Sequence, residues 1–86
     1  MDGAKPHLLV VDRNRNVREF LRREFARLGF EVQTARDEGE ALLSAGRDRP
    51  DAIVLDPDAP RSGRAPLFER LHRGHPDVPI VVHLLS

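Results

Sequence analysis

Two apolar runs in this chain each end on an aspartate: "HLLVVD" at residues 7–12 and "AIVLD" at residues 52–56. Neither alternates apolar with polar residues, and both carry β-branched members. A strand of that kind has two faces to bury. It belongs inside a parallel sheet clad by helices on both sides. Parallel neighbours cannot be joined by a hairpin, so the chain between them must form a crossover, usually a helix. In open sheets of this type, chemistry collects outside the carboxyl ends of the strands, where strand order reverses. An aspartate at such an end is either a turn residue or a group held out over the sheet edge. Asp56 is followed by Pro57, and Asp–Pro is also turn chemistry.

The crossovers are legible. In "NRNVREFLRREFARLGF", Val17, Phe20, Leu21, Phe25 and Leu28 fall on one helical stripe, with arginines and glutamates elsewhere. Asn14 or Asn16 caps the start, and Gly29 suits a left-handed stop. "FEVQTA", 30–35, alternates and predicts a less buried strand at a sheet edge. Asp37 with Glu40 resembles a capping box for a second helix that Gly46 closes, although Gly39 weakens its first turn. Pro66 fits the first turn of a third helix through "LFERLHRG". "HPDVP" breaks that helix, and "IVVHLL", 80–85, predicts a fourth strand. The order βαβαβαβ implies a parallel sheet with right-handed crossovers and helices on both faces. With strands 1 and 3 as neighbours, Asp12 and Asp56 face each other across the crevice.

Composition narrows the function classes. The 86 residues are expected to form a single domain, 1–86, with an adequate but not generous core. Fourteen basic and 14 acidic residues give a net charge of zero, which steers toward neither nucleic acid nor an anionic membrane. Without cysteine there is no disulfide framework and no thiolate chemistry. The first apolar run is interrupted at once by Asp12, unlike a signal peptide, and no run approaches the ~20 residues of a membrane helix. The expectation is a cytoplasmic protein.

"HLLVVD", "GFEVQTARDEGEAL", "RPDAIVLDPDAP" and "HPDVPIVV" resemble, in order and spacing, segments of the receiver domain of two-component response regulators. The resemblance spans about residues 7 to 84. It implies an α/β fold: a flavodoxin-like doubly wound parallel sheet in strand order 2-1-3-4, lacking the usual fifth strand and last two helices. It implies that Asp56 is the phosphoacceptor of a phosphorelay, served by a histidine kinase or another signalling protein. Pro60 matches the family's proline four residues later. The family holds Mg2+ with an acidic pair after strand 1, the phosphoacceptor and a carbonyl two residues beyond it. By position these are Asp12, Asp56 and Asp58. The second acid of the pair, however, is Arg13, which is always charged and cannot ligate a metal.

Other family positions also depart from the pattern. The phosphoryl-sensing hydroxyl at the end of strand 4 falls on Leu84, with Ser86 two residues late. The glycine expected eight residues after the phosphoacceptor is Arg64, with Gly63 one place early. The only lysine is Lys5, so the family's lysine has no counterpart. These departures predict a pseudo-receiver with Arg13 as the cation in the metal's position. Such a guanidinium would gain about 4 kcal/mol against Asp56 at an effective dielectric of about 20, before solvation costs.

Other readings are weaker. A small flavodoxin-like enzyme or nucleotide-binding domain would want glycines after strand 1, where the chain has "DRNRN". The chain is therefore not expected to be an enzyme. His72 and His75 read as solvated groups at a helix end, and His83 as a satisfied strand residue. Strand 4, apolar and free of charge, is expected to pair with a partner strand, most simply from a second copy.

Overall fold

The computed structural model describes residues 4–61 and 65–83. In chain order the elements are β1 (His7–Val11), α1 (Arg15–Arg27), β2 (Glu31–Ala35), α2 (Glu38–Arg47), β3 (Ala52–Leu55), α3 (Leu67–Gly74) and β4 (Ile80–Val82). The four strands form one parallel sheet in the order β2-β1-β3-β4. The α/β class, strand order and edge position of β2 are those expected from the sequence.

Alternation along β1 and β3 divides the core between the two faces. Leu9, Val11, Ile53 and Leu55 pack with Ala41 and Ala45 of α2 and Leu67 and Leu71 of α3. Leu8, Val10 and Val54 pack on the other face against Leu21 of α1, flanked by Val17 and Phe25. A fully buried leucine or isoleucine contributes about 1.5–3 kcal/mol, so this central sheet carries much of the stability. β2, paired with β1 alone at the edge of the sheet, shows the half-buried alternation its sequence foretells.

Local chemistry fixes most element ends. Asn14 caps α1, its side chain accepting from the N–H groups of Asn16 and Val17. Gly29 has φ +99°, the left-handed conformation that lets the chain turn into β2. Asp37 caps α2 by accepting from Glu40 N–H. The return half of the box is displaced, because Glu40 Oε1 accepts from Arg36 N–H at 3.0 Å.

Four details differ from the sequence reading. Phe20 and Leu28 lie exposed, because α1 buries a narrower stripe than its apolar pattern offers. Gly46 does not close α2, which runs on to Arg47 and is capped by Asp48. Pro66 precedes α3 at the N-cap position instead of opening its first turn. His83 lies just beyond β4 instead of inside it. Leu84 and the rest of the expected strand lie outside the described residues.

The α2–α3 side is also tied by charge. Arg70 Nη1 of α3 lies 2.9 Å from Glu38 Oε2 of α2, and the Glu38 carboxylate is buried. Glu38 N–H donates to Pro60 O at 2.8 Å, which anchors the segment leaving β3. That segment carries the residues of the candidate site.

Candidate functional site

The site follows from the register of the parallel strands. Val11 is level with Leu55, and Leu55 with Val82. The next position on each strand is Asp12, Asp56 and His83. Backbone hydrogen bonds hold that row in place: Asp56 N–H to Val11 O at 2.7 Å, His83 N–H to Leu55 O at 2.9 Å, and Asp12 N–H to Ala35 O at 3.0 Å. Apolar strands on both sides thus force two carboxylates and an imidazole into neighbouring places at the carboxyl end of the sheet.

Asp56 is only 6% exposed. Its Oδ1 accepts from Asp58 N–H at 2.9 Å, and its backbone carbonyl accepts from Ala59 N–H at 3.1 Å. It is therefore a turn residue as well as a pocket residue, so the two sequence readings coexist. Its Oδ2 accepts from Arg13 N–H at 3.2 Å. The guanidinium of Arg13 follows the same direction, with Nε 3.5 Å from Asp56 Oδ2 and Nη2 3.7 Å from Asp58 Oδ2. Arg13 bridges a buried acid and an exposed one while half its own side chain remains in solvent.

Asp12 is deeper, at 2% exposure. Its Oδ1 accepts from Asn14 N–H at 2.8 Å, closing the turn into α1. Its backbone carbonyl accepts from Arg18 Nη1 at 2.9 Å. Its Oδ2 lies 3.0 Å from His83 Nε2. That is ion-pairing distance without the alignment of a hydrogen bond.

The sequence reading identified Asp12, Arg13, Asp56 and Asp58, and the fold brings all four together. It missed His83. The signal was the strand register, since counting one residue past Val82 reaches the row of Asp12 and Asp56. The remaining candidate, Ser86, lies outside the described residues, as do Gly63, Arg64 and Leu84. His72 stacks on Phe68 with ring centroids 6.0 Å apart, and His75 caps the end of α3, so neither reaches the pocket.

The pocket does not fit a divalent cation as it stands. Mg2+ demands oxygen ligands at ~2.0–2.1 Å in near-octahedral array. Every carboxylate oxygen of Asp12 and Asp56 instead faces a nitrogen of the chain: Asn14 N, His83 Nε2, Asp58 N and Arg13. Among the described residues, no group of three or more histidines and acids is arranged to hold a metal ion.

A four-stranded parallel sheet in this order, with a buried carboxylate ending each of its two central strands, is the architecture of the flavodoxin-like receivers. The response regulator receiver domain family matches residues 8–83, and the chain belongs to that family of two-component signalling proteins. Response regulator MprA of Mycobacterium leprae is 44% identical over 75 residues, covering 87% of this chain and 33% of that protein. The chain thus spans about a third of the length of the curated relatives it matches. Among solved structures, the receiver domain of NtrX from Brucella abortus superposes with a TM-score of 0.79 at 27% identity, over 87% of this chain and 64% of that one. A response regulator from Burkholderia pseudomallei superposes with a TM-score of 0.76 at 29% identity, over 90% of this chain and 45% of that one. That protein was solved with a phosphorylated aspartic acid, a calcium ion and citrate. These likenesses favour the receiver reading over a small flavodoxin-like enzyme or nucleotide-binding domain. No helix among the described residues is long and apolar enough to cross a membrane.

Proposed function

We propose that residues 1–86 form a pseudo-receiver unit: a signalling module that keeps the receiver fold and the phosphoacceptor position, Asp56, but not the metal site. The observation that carries this reading is Arg13, whose guanidinium stands between Asp56 and Asp58. An anionic carboxylate attacking an anionic phosphoryl group needs a cation that also binds the phosphoryl oxygens, as a metal does. Arg13 cancels charge on Asp56 but also blocks its approach to a divalent cation by repulsion.

In this reading the module works in the cytoplasm and without catalysis of its own. Its output passes through protein contacts, with a histidine kinase or another signalling protein as partner. Val81 and Val82 are exposed on β4, whose described pairing is with β3 alone. A second copy pairing along that edge is the simplest cover for it.

Incubation with acetyl phosphate and Mg2+, read by intact-mass spectrometry, tests the proposal. The expected mass is unchanged. A gain of one phosphoryl group that Asp56→Asn abolishes would establish an active receiver instead.

A further inference from the structure

We infer that His83 is the second internal occupant of the pocket, and the one that holds it shut. This rests on the pseudo-receiver reading and assigns a role to a residue outside the acidic motif. Arg13 and His83 divide the carboxylates between them: the guanidinium faces Asp56, and the imidazole faces Asp12. One ring and one guanidinium thus face the two carboxylates that the resemblance assigns to metal binding.

The two occupants differ in how easily they leave. The Arg13 side chain is 53% exposed, on a flexible stem, and its contacts at 3.5 and 3.7 Å are long. Rotation about that stem returns the guanidinium to water at small cost, as for surface ion pairs generally. His83 has a side chain only 13% exposed, and its backbone N–H is bonded to Leu55 O at the end of β3. Its main chain is pinned at the end of the sheet and its ring is largely buried, so leaving Asp12 Oδ2 takes a side-chain rotation within a packed site instead of a swing into water. Asp12 is fixed from the other side by Asn14 N–H and by the turn into α1. The imidazole therefore denies Asp12 to a hard cation even when Arg13 swings away. Restoring the acid at position 13 alone should therefore restore only weak metal binding. His83 acts as a positioning residue, through Asp12, and not as a ligand, because Mg2+ selects oxygen over imidazole nitrogen.

The test compares the unmodified chain, Arg13→Asp, His83→Leu and the double variant Arg13→Asp/His83→Leu. Each is titrated with Mg2+ and followed by amide NMR shifts around residues 12, 56 and 58, with calorimetry for stoichiometry. The unmodified chain and His83→Leu are expected to stay silent and Arg13→Asp to bind weakly. The double variant is expected to bind at least about tenfold more tightly than Arg13→Asp, which is about 1.4 kcal/mol. If the leucine variants fail to give a folded amide spectrum, His83→Ala replaces His83→Leu in the same comparison. Equal affinities of the single aspartate variant and the double variant, both folded, overturn the role of His83 and leave the pseudo-receiver reading intact. Stoichiometric binding by the unmodified chain overturns both.

Discussion

Two histidine–carboxylate pairs stand at opposite ends of this sheet with nearly the same separation. At the amino end, His7 Nδ1 of β1 lies 3.1 Å from Asp48 Oδ2, with the side chains 36% and 52% exposed. At the carboxyl end, His83 Nε2 lies 3.0 Å from Asp12 Oδ2, with the side chains 13% and 2% exposed. Distance alone would make them equals. Their surroundings make them different, because water solvates both members of the first pair in the folded and unfolded chain alike. The first contributes about 0–1 kcal/mol and weakens with salt. The second has exchanged water for protein, so removing one partner strands the other in a place that water reaches poorly. The amino-end pair lies at the surface of the sheet, whereas the carboxyl-end pair lies largely buried in the row of Asp56.

The sharpest way to break the contrast is Asp12→Ala. It removes the acceptor for Asn14 N–H and the carboxylate facing His83. The expected loss is about 3 kcal/mol or more in denaturant unfolding, far beyond that of His7→Ala at the other end. A pocket dominated by repulsion between Asp12 and Asp56 would behave in the opposite way, since deleting one carboxylate would then stabilise the fold. The sign of this change separates a self-satisfied pocket from a strained acidic one.

Arg13→Ala comes next. Its half-exposed guanidinium makes the expected loss no more than about 1 kcal/mol, or roughly 4–8 °C in Tm for a domain of this size. Adding salt to the variant should recover part of it, by screening Asp12 from Asp56. Asp48→Asn is smaller still. Melts of this variant and the parent should agree within about 0.5 kcal/mol at low salt and converge as salt rises.

The smallest effect is a pH effect on α1. Arg22 lies 2.9 Å from Glu19 Oε1. It holds the Glu19 carboxyl below its ordinary range, first through this hydrogen bond and then through its charge, with Arg15 and Arg23 adding to the same sense. A lowered folded-state value gives stability that is present above the ordinary carboxylate range. That stability is lost as pH falls through the lowered value. Glu19→Gln should therefore narrow the gap between melts at neutral and acid pH, and leave melts within the acid range alike.

The same contrast explains what was legible in the sequence. Asp12 and Asp56 could be placed because each follows an uninterrupted apolar run, and a run of that kind fixes where its strand ends. Arg13 and Asp58 came from the family resemblance, as the second acid position and the carbonyl two residues past the phosphoacceptor. His83 belongs to a short strand whose pairing begins only at Ile80. Nothing local tells whether position 83 lies inside "IVVHLL" or one step past its end. Its meaning comes from register with β3, which depends on the whole sheet. Phe20 and Leu28 misled for a related reason. Periodicity shows that α1 has an apolar side, but only its seat on the sheet decides how wide a stripe is covered. Pro66 stands one step outside its helix because its fixed φ suits either side of a helix start.

The most direct measurement of the central claim is Mg2+ titration of the unmodified chain, monitored at the amides of Arg13, Asp56 and Asp58. A pocket already filled by Arg13 and His83 predicts amide shifts no larger than those of exposed acids elsewhere, with no saturation at millimolar Mg2+. Saturable shifts confined to these three amides, with one ion bound per chain, would contradict it.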